Sequence, residues 1–455
     1  MNDQYPALYA SFRWHVPAHV NIAHLCIQRW ASNPMQGRKP VIFSHNEFGE
    51  ARRCSYGELA DTTGKLAAGL RKMGVLPSDR VVISMAQGPE LVAACMAVLA
   101  AGAVVVPLSP VLNAQQVTAR VIDAQAKVAI VDAANVPGIV HAQSVYPALA
   151  QIIGYGFKHE ATLSWSSLLA RQPAAFNIAD TTAQSPAFLF YPLGADAPLK
   201  GVVLPHSVLI GLLPGFVASQ NWFPQANDVF WTQAHWSSPE GLLEGLLPCL
   251  YFGHPILALP GTDTVHRTLE TLAHYKVSNV CVPWSSLRAV MADIPDLDAT
   301  ALAIRAISAT GEHAALPVAE WFESRFNLIP NAIWGRTEAT AVIGHSARWP
   351  GQAGSLGRAF PGHLVSVIDP DGRICPAGVT GEIAVNRFDI HGFPDPVLFS
   401  GYWHNPELTH EHFNRDWFLT GTLAHIDPDG YFWFDGHTTA AHDHPGNPGS
   451  TQTST

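Results

Sequence analysis

Between residues 55 and 133 the sequence switches repeatedly from helical spacing to short β-branched runs, and few architectures bury both. Ser55 and Glu58 of SYGE form a capping box, followed by Leu59, Leu66, Ala67, Leu70 and Met73 at helical spacing before Gly74, so a helix is predicted over 56–73. VVISMA (81–86) predicts a strand, Pro89 opens a second helix, VVVPLS (104–109) predicts another strand, a helix follows near 114–124, and KVAIVDA (127–133) closes the series. Strands alternating with helices in this way imply a mostly parallel sheet covered on both faces.

The second third repeats the alternation with the strand AFLFY (187–191), the helix GLLEGLLPCLYFG (241–253) and the strand SNVCVP (278–283). From about residue 351 the texture changes to LVSVID, GEIAVN and YFWF between PDG, PAG and PDG turns, which predicts a small β-rich portion. The expected fold class is α/β: two tandem sheet subdomains plus the β-rich one. The expected organisation is one large unit over 1–436, with subdomains at about 1–180, 181–350 and 351–436, and a disordered tail over 437–455. His442, Asp443 and His444 in that tail read as solvated, because nothing else with ligand chemistry sits nearby.

Composition narrows the function classes. A charged fraction of 14% and a formal net charge of −10 argue against nucleic-acid binding through phosphate neutralisation, so an anionic ligand needs a local basic site. The six cysteines show no CxxC pair or metal-ligand spacing, which suits buried thiols in a reducing cytoplasm. The start, MNDQYPALYASFRWH, lacks the cationic head and apolar core of a signal peptide. Residues 91–108 are uncharged and about as long as a membrane span. Gly102 divides them, and Val104, Val105 and Val106 with Pro107 read as a strand, so a buried helix and buried strand are expected and no span.

The segment FLFYPLGADAPLKGVVLPH (188–206) sets a strand before a glycine-containing turn that ends in Lys200 and Gly201. Such a turn can aim backbone N–H groups and a lysine at phosphate oxygens, but it lacks the Walker pattern and alone reads more readily as a plain strand-to-helix turn. Set beside SATGEH (308–313), IWGRTEAT (333–340), GYWHNPE (401–407) and DWFLTGTLAHIDPDGYFWFDGH (416–437), it resembles the ordered motifs of the adenylate-forming (AMP-binding) superfamily. FRWHVPAHVNIA (12–23), SYGEL (55–59) and GAVVVPL (102–108) extend the resemblance to the acetyl- and medium-chain acyl-CoA synthetase branch, over residues 10 to 437.

That resemblance implies the family's large domain and its chemistry: a carboxylate attacks the α-phosphate of ATP, pyrophosphate leaves, and the acyl group passes from the acyl-adenylate to coenzyme A. It implies that Thr337 bonds the α-phosphate and Glu338 holds Mg²⁺, that Lys200 with Gly194 and Gly201 meets the phosphates, and that Trp334 with Gly335, Gly311 and Glu312 lines the adenine pocket. Two further positions depart from the family pattern: Thr422 stands for the ribose-binding aspartate and His437 for the arginine of a Gly-Arg pair. Leu193–Ala197 also lacks the hydroxyls that grip the outer phosphates, and Asp196 adds a negative charge there. Like charges about 4 Å apart repel by a few kcal/mol at an effective dielectric near 20.

The acyl pocket is expected beside 231–245 and 281–286, with His235, Trp236 and Trp284 as its wall, although buried aromatics serve equally as plain core. The family's small C-terminal domain, with the adenylation lysine and half of the coenzyme A tunnel, is expected to be missing. Nucleotide grip is expected to be weakened as a result of these changes. The alternative is a catalytically inactive acyl-binding or scaffold subunit. Expected partners are a small carboxylic acid or acyl ligand, with a protein partner or a homo-oligomer left open.

Overall fold

A computed structural model describes residues 3–45, 50–192, 199–259, 264–311 and 316–438. The capping box at Ser55 is formed as the sequence implies. Ser55 Oγ accepts the Glu58 N–H at 3.3 Å, Glu58 Oε2 accepts the Ser55 N–H at 2.7 Å, and the helix runs Tyr56–Lys72. The next helix, Pro89–Ala100, and the strand Val104–Pro107 are buried almost throughout. That burial accounts for the membrane-like hydropathy of 91–108, and among the described residues no helix is long and apolar enough to cross a membrane.

The chain is α/β, and its described residues form three sheets. The first has eight strands in the order Gly401–Tyr402, Val202–Pro205, Pro186–Phe190, Val104–Pro107, Arg80–Ser84, Val128–Asp132, Gln151–Tyr155, Leu163–Ser164. From Pro186–Phe190 onward its strands are parallel, and the first two form an antiparallel edge.

The second has nine strands in the order Arg358–Ala359, Ala339–Gly344, Asn331–Arg336, Ala306–Thr310, Asn279–Pro283, Phe230–Thr232, Ile256–Leu257, Pro40–His45, Ala51–Ser55. Its centre is parallel and both of its ends are antiparallel. Sheet membership departs from chain order, since Pro40–His45 and Ala51–Ser55 join the later sheet while Pro186–Phe190 and Val202–Pro205 join the earlier one.

The third sheet is antiparallel and built from Val365–Ile368, Gly381–Asn386, Phe413–Asn414, Trp417–Ile426 and Phe432–His437. One core cluster joins the sheets, running from Ile22 and Leu66 through Phe188, Trp236 and Leu246 to Val367 and Phe418. The helix expected over 241–253 is interrupted: a π-helical turn, Leu242–Leu246, separates Pro239–Gly241 from Leu247–Phe252.

Candidate functional site

Thr337 and Glu338 form the turn of a hairpin between Asn331–Arg336 and Ala339–Gly344, paired in the register Trp334↔Ile343 and Arg336↔Ala339 with an irregularity between them. Gly335 makes that irregularity fit. A Cβ there would stand 2.4 Å from Ala341 N and 2.8 Å from Ala339 O, too close for any side chain.

The turn presents Glu338 inward at 2% exposure. Its Oε1 accepts the Tyr402 hydroxyl at 2.7 Å, and its peptide carbonyl accepts the Phe399 N–H at 2.9 Å. Burial first, and then the Glu338 charge and hydrogen bond, push the Tyr402 phenol well above its ordinary value, so it stays a donor.

Tyr402 ties this hairpin to the first sheet. The strand Gly401–Tyr402 pairs Tyr402 with Val202, and the Trp403 N–H donates to the Gly201 carbonyl at 2.7 Å. A Cβ on Gly201 would lie 2.8 Å from Leu189 Cδ1 and 2.9 Å from Trp403 Cβ, so glycine permits this close crossing. Lys200 is therefore connected to Glu338 through Gly201, the strand Gly401–Tyr402 and the Tyr402 side chain. Gly194 and Asp196 lie outside the described residues, as do Glu312 and the tail 439–455. Gly311, at φ +87, ends the strand Ala306–Thr310, which lies beside Asn331–Arg336.

The same hairpin reaches the third sheet through Arg336. Its Nη2 donates to Thr422 Oγ1 at 2.6 Å, and its guanidinium lies 6.0 Å from the Trp334 ring centre. Burial lowers the Arg336 pKa, while the charges of Glu338, Tyr402 and Glu382 work against that shift. Thr422 is 1% exposed and is the cross-strand partner of His437, so the two substituted positions do meet.

The expected acyl-wall residues separate. Trp236 is fully buried in the main core, whereas Trp284, 3% exposed, belongs to a cluster with Leu257, Val280 and Phe322. His235 Nδ1 lies 2.8 Å from Ser237 Oγ, and burial holds its pKa below the usual imidazole value, with Asp132 of the first sheet opposing.

Three residues that motif reading passed over stand out. Tyr402 lies within GYWHNPE but has no signal of its own, and Arg336 occupies the variable position of its motif. Glu244 did carry a signal, as the lone acidic residue in an apolar helix. It is half-buried at the middle of the π-helical turn, Oε1 accepts the Thr340 hydroxyl, and the buried Oε2 has no hydrogen-bond partner among the described residues. Burial pushes its pKa up to about 7, against the lowering effect of Thr340.

A divalent cation fits this arrangement in a limited way. No group of three or more metal-ligating side chains occurs among the described residues. Mg²⁺ characteristically takes one or two carboxylates and completes its shell with water and substrate phosphates, so Glu338 alone suffices as the protein ligand.

Comparison with known proteins agrees with the fold. The sequence profile of the family described as AMP-binding enzyme matches residues 27–403. An uncharacterized acyl-CoA ligase of Bacillus subtilis (strain 168) is 29% identical, over 88% of this chain and 74% of its own length. The acetyl-coenzyme A synthetase of Nitrosomonas europaea is 28% identical, over 96% of this chain and 70% of its own. Among solved structures, an acyl-CoA synthetase of Brucella canis superposes with a TM-score of 0.86 at 19% identity, covering 96% of this chain and 80% of that one. An anthranilate CoA ligase in complex with anthranoyl-AMP gives a TM-score of 0.82 at 21% identity, covering 93% and 79%.

Proposed function

This chain belongs to the AMP-binding enzyme family, and on that premise we propose that it binds ATP and a carboxylic acid at the Thr337–Glu338 hairpin and joins them as an acyl-adenylate. A carboxylate oxygen bonds to the α-phosphorus as the bond to the bridging oxygen breaks, and pyrophosphate departs with that electron pair. In the second half-reaction a thiolate, that of coenzyme A by analogy with the acyl-CoA synthetase relatives, attacks the acyl carbon and AMP leaves.

The observation that carries the reading is Glu338, a buried carboxylate held by Tyr402 on a strand bonded to Gly201. In that role Glu338 holds Mg²⁺, which supplies positive charge at the phosphates. The Thr337 hydroxyl donates to the α-phosphate, and Lys200 with the Gly201 N–H neutralises phosphate charge. Trp334, Gly335 and Gly311 border adenine, Thr422 faces the sugar with His437 beside it on the nucleotide, and His235 borders the acyl group, with Trp236 or Trp284 behind it.

A second reading is favoured by the contact between Arg336 and Thr422. A hydroxyl already engaged by a guanidinium is a poorer acceptor for a ribose diol than a free carboxylate, so nucleotide grip is weak and the chain serves as an acyl-binding module or subunit. Unpaired cysteines and the absence of a spanning helix among the described residues fit a reducing, cytoplasmic setting.

ATP–pyrophosphate exchange across short, medium and aromatic acids tests the choice. The enzyme reading expects exchange with at least one acid and its loss in Glu338→Ala. Saturable acid binding without any exchange selects the binding module.

A further inference from the structure

We propose that Glu244 is a specificity residue of the acyl pocket, selecting carboxylic acids that carry a hydrogen-bond-donating substituent, a hydroxyl or an amine, remote from the carboxylate. The proposal deepens the reading above and rests on it.

The first observation is backbone geometry. Leu242–Leu246 adopts a π-helical turn between two α-helical pieces, a rare irregularity that concentrates at functional sites. Glu244 is at its centre, between Leu243 and Gly245, and the leucines around it, Leu242, Leu243, Leu246 and Leu247, are all fully buried. An acid in that position is disfavoured unless something uses it.

The second observation is the unmatched hydrogen-bonding capacity. Thr340 satisfies Oε1, while Oε2 meets no donor or acceptor among the described residues. The charges that influence Glu244 from nearby do not help, since Glu240 is acidic and Cys281 is a buried thiol. Buried polar atoms in folded proteins are almost always paired, so this orphan oxygen calls for a group absent from the chain itself.

Position supplies the third. Thr340, which anchors Glu244, lies two residues beyond Glu338 on the strand that leaves the proposed magnesium carboxylate. A substrate reacting near Glu338 and extending along that strand toward Glu244 meets an oxygen that lacks a donor. A hydroxyl or an ammonium satisfies it and a methyl group does not. Recognition of this kind discriminates strongly, because the wrong ligand leaves the protein group unpaired.

Calorimetric titration of the full chain in the presence of AMP tests the assignment with matched pairs: para-hydroxybenzoate against para-methylbenzoate, and an omega-hydroxy or omega-amino straight-chain acid against its methyl-terminated isostere. The polar member is expected to bind about tenfold more tightly or better, from the usual penalty for an unmatched buried group. Glu244→Met is expected to bring the ratio to about one. Glu244→Gln keeps the shape and the Thr340 contact, so a preference for the amine that vanishes there identifies an ammonium, and a retained preference for the hydroxyl identifies a neutral donor.

Equal binding of both members of every pair by the wild type overturns the proposal and leaves Oε2 to a buried water, with carboxylate binding intact. If no acid of either kind binds, the proposed function fails and takes this inference with it. The wild-type ratios decide the question even if the methionine variant does not fold.

Discussion

The two ends of the Asn331–Gly344 hairpin's reach are wired in opposite senses. Toward the first sheet, an acid is held by a neutral donor, Tyr402 to Glu338; toward the third sheet, a neutral hydroxyl is held by a cation, Arg336 to Thr422. One hairpin sets both contacts, and its guanidinium feels the charges of Glu338 and Glu382 together. One of these contacts can change without the other, because they are separate and lie toward separate sheets.

The contrast breaks most directly at the first end. Glu338→Ala is expected to lower ATP–pyrophosphate exchange by about a hundredfold or more, since it removes the carboxylate assigned to the metal. Exchange surviving at wild-type level would remove Glu338 from the reaction.

Beside that hairpin, pH separates two desolvated groups. Glu244 has its pKa raised from 4.5 to about 7, so its contribution to stability is greatest at low pH and declines as pH rises from about 4.5 to 7. His345, just beyond the strand, is lowered from 6.5 to about 4, so its contribution is complete above 6.5 and is lost as pH falls toward 4. Each is worth at most about 3 kcal/mol across its window. Denaturant melts at stepped pH should show Glu244→Gln flattening the neutral-side decline only. An unchanged profile in that variant would mean the carboxyl is not held neutral.

At the sugar end, Thr422→Asp alone should change AMP affinity little, because the new carboxylate pairs with Arg336. Combined with Arg336→Met, it should tighten AMP by about tenfold, with non-additivity of about 1 kcal/mol in the cycle. Additive behaviour in titrations would separate Arg336 from the sugar position.

The smallest effect on activity belongs to Tyr402→Phe. Loss of one donor to a buried carboxylate should reduce stability by about 1 to 3 kcal/mol and exchange by a few fold. A variant that melts and exchanges like wild type would show that the contact with Glu338 holds nothing in place.

Much of the fold was legible because its cues are local. The capping box at Ser55, the β-branched run at Val104–Val106 and the glycine-punctuated β-rich portion each follow from spacing over a few residues. The assignment of Pro40–His45 and Ala51–Ser55 to the second sheet had no such cue, since strand pairing is decided by partners some two hundred residues away, as in Ile42 with Ile256. Motif residues such as Glu338 could be singled out in the same way, but Tyr402 and Arg336 acquire meaning only from what they touch.

What the sequence determined by itself is therefore the set of parts: capped helices, buried strands, and the ordered Lys200–Gly201, Thr337–Glu338 and Thr422 segments. What the tertiary structure alone decided is their wiring, including the Arg336 contact that occupies Thr422 and the π-helical turn that leaves Glu244 with an unmatched oxygen. The physical reason is range. Capping and periodicity act within a turn or two of chain, whereas burial of a carboxyl and the choice of its hydrogen-bond partner depend on side chains that only the completed packing brings within reach.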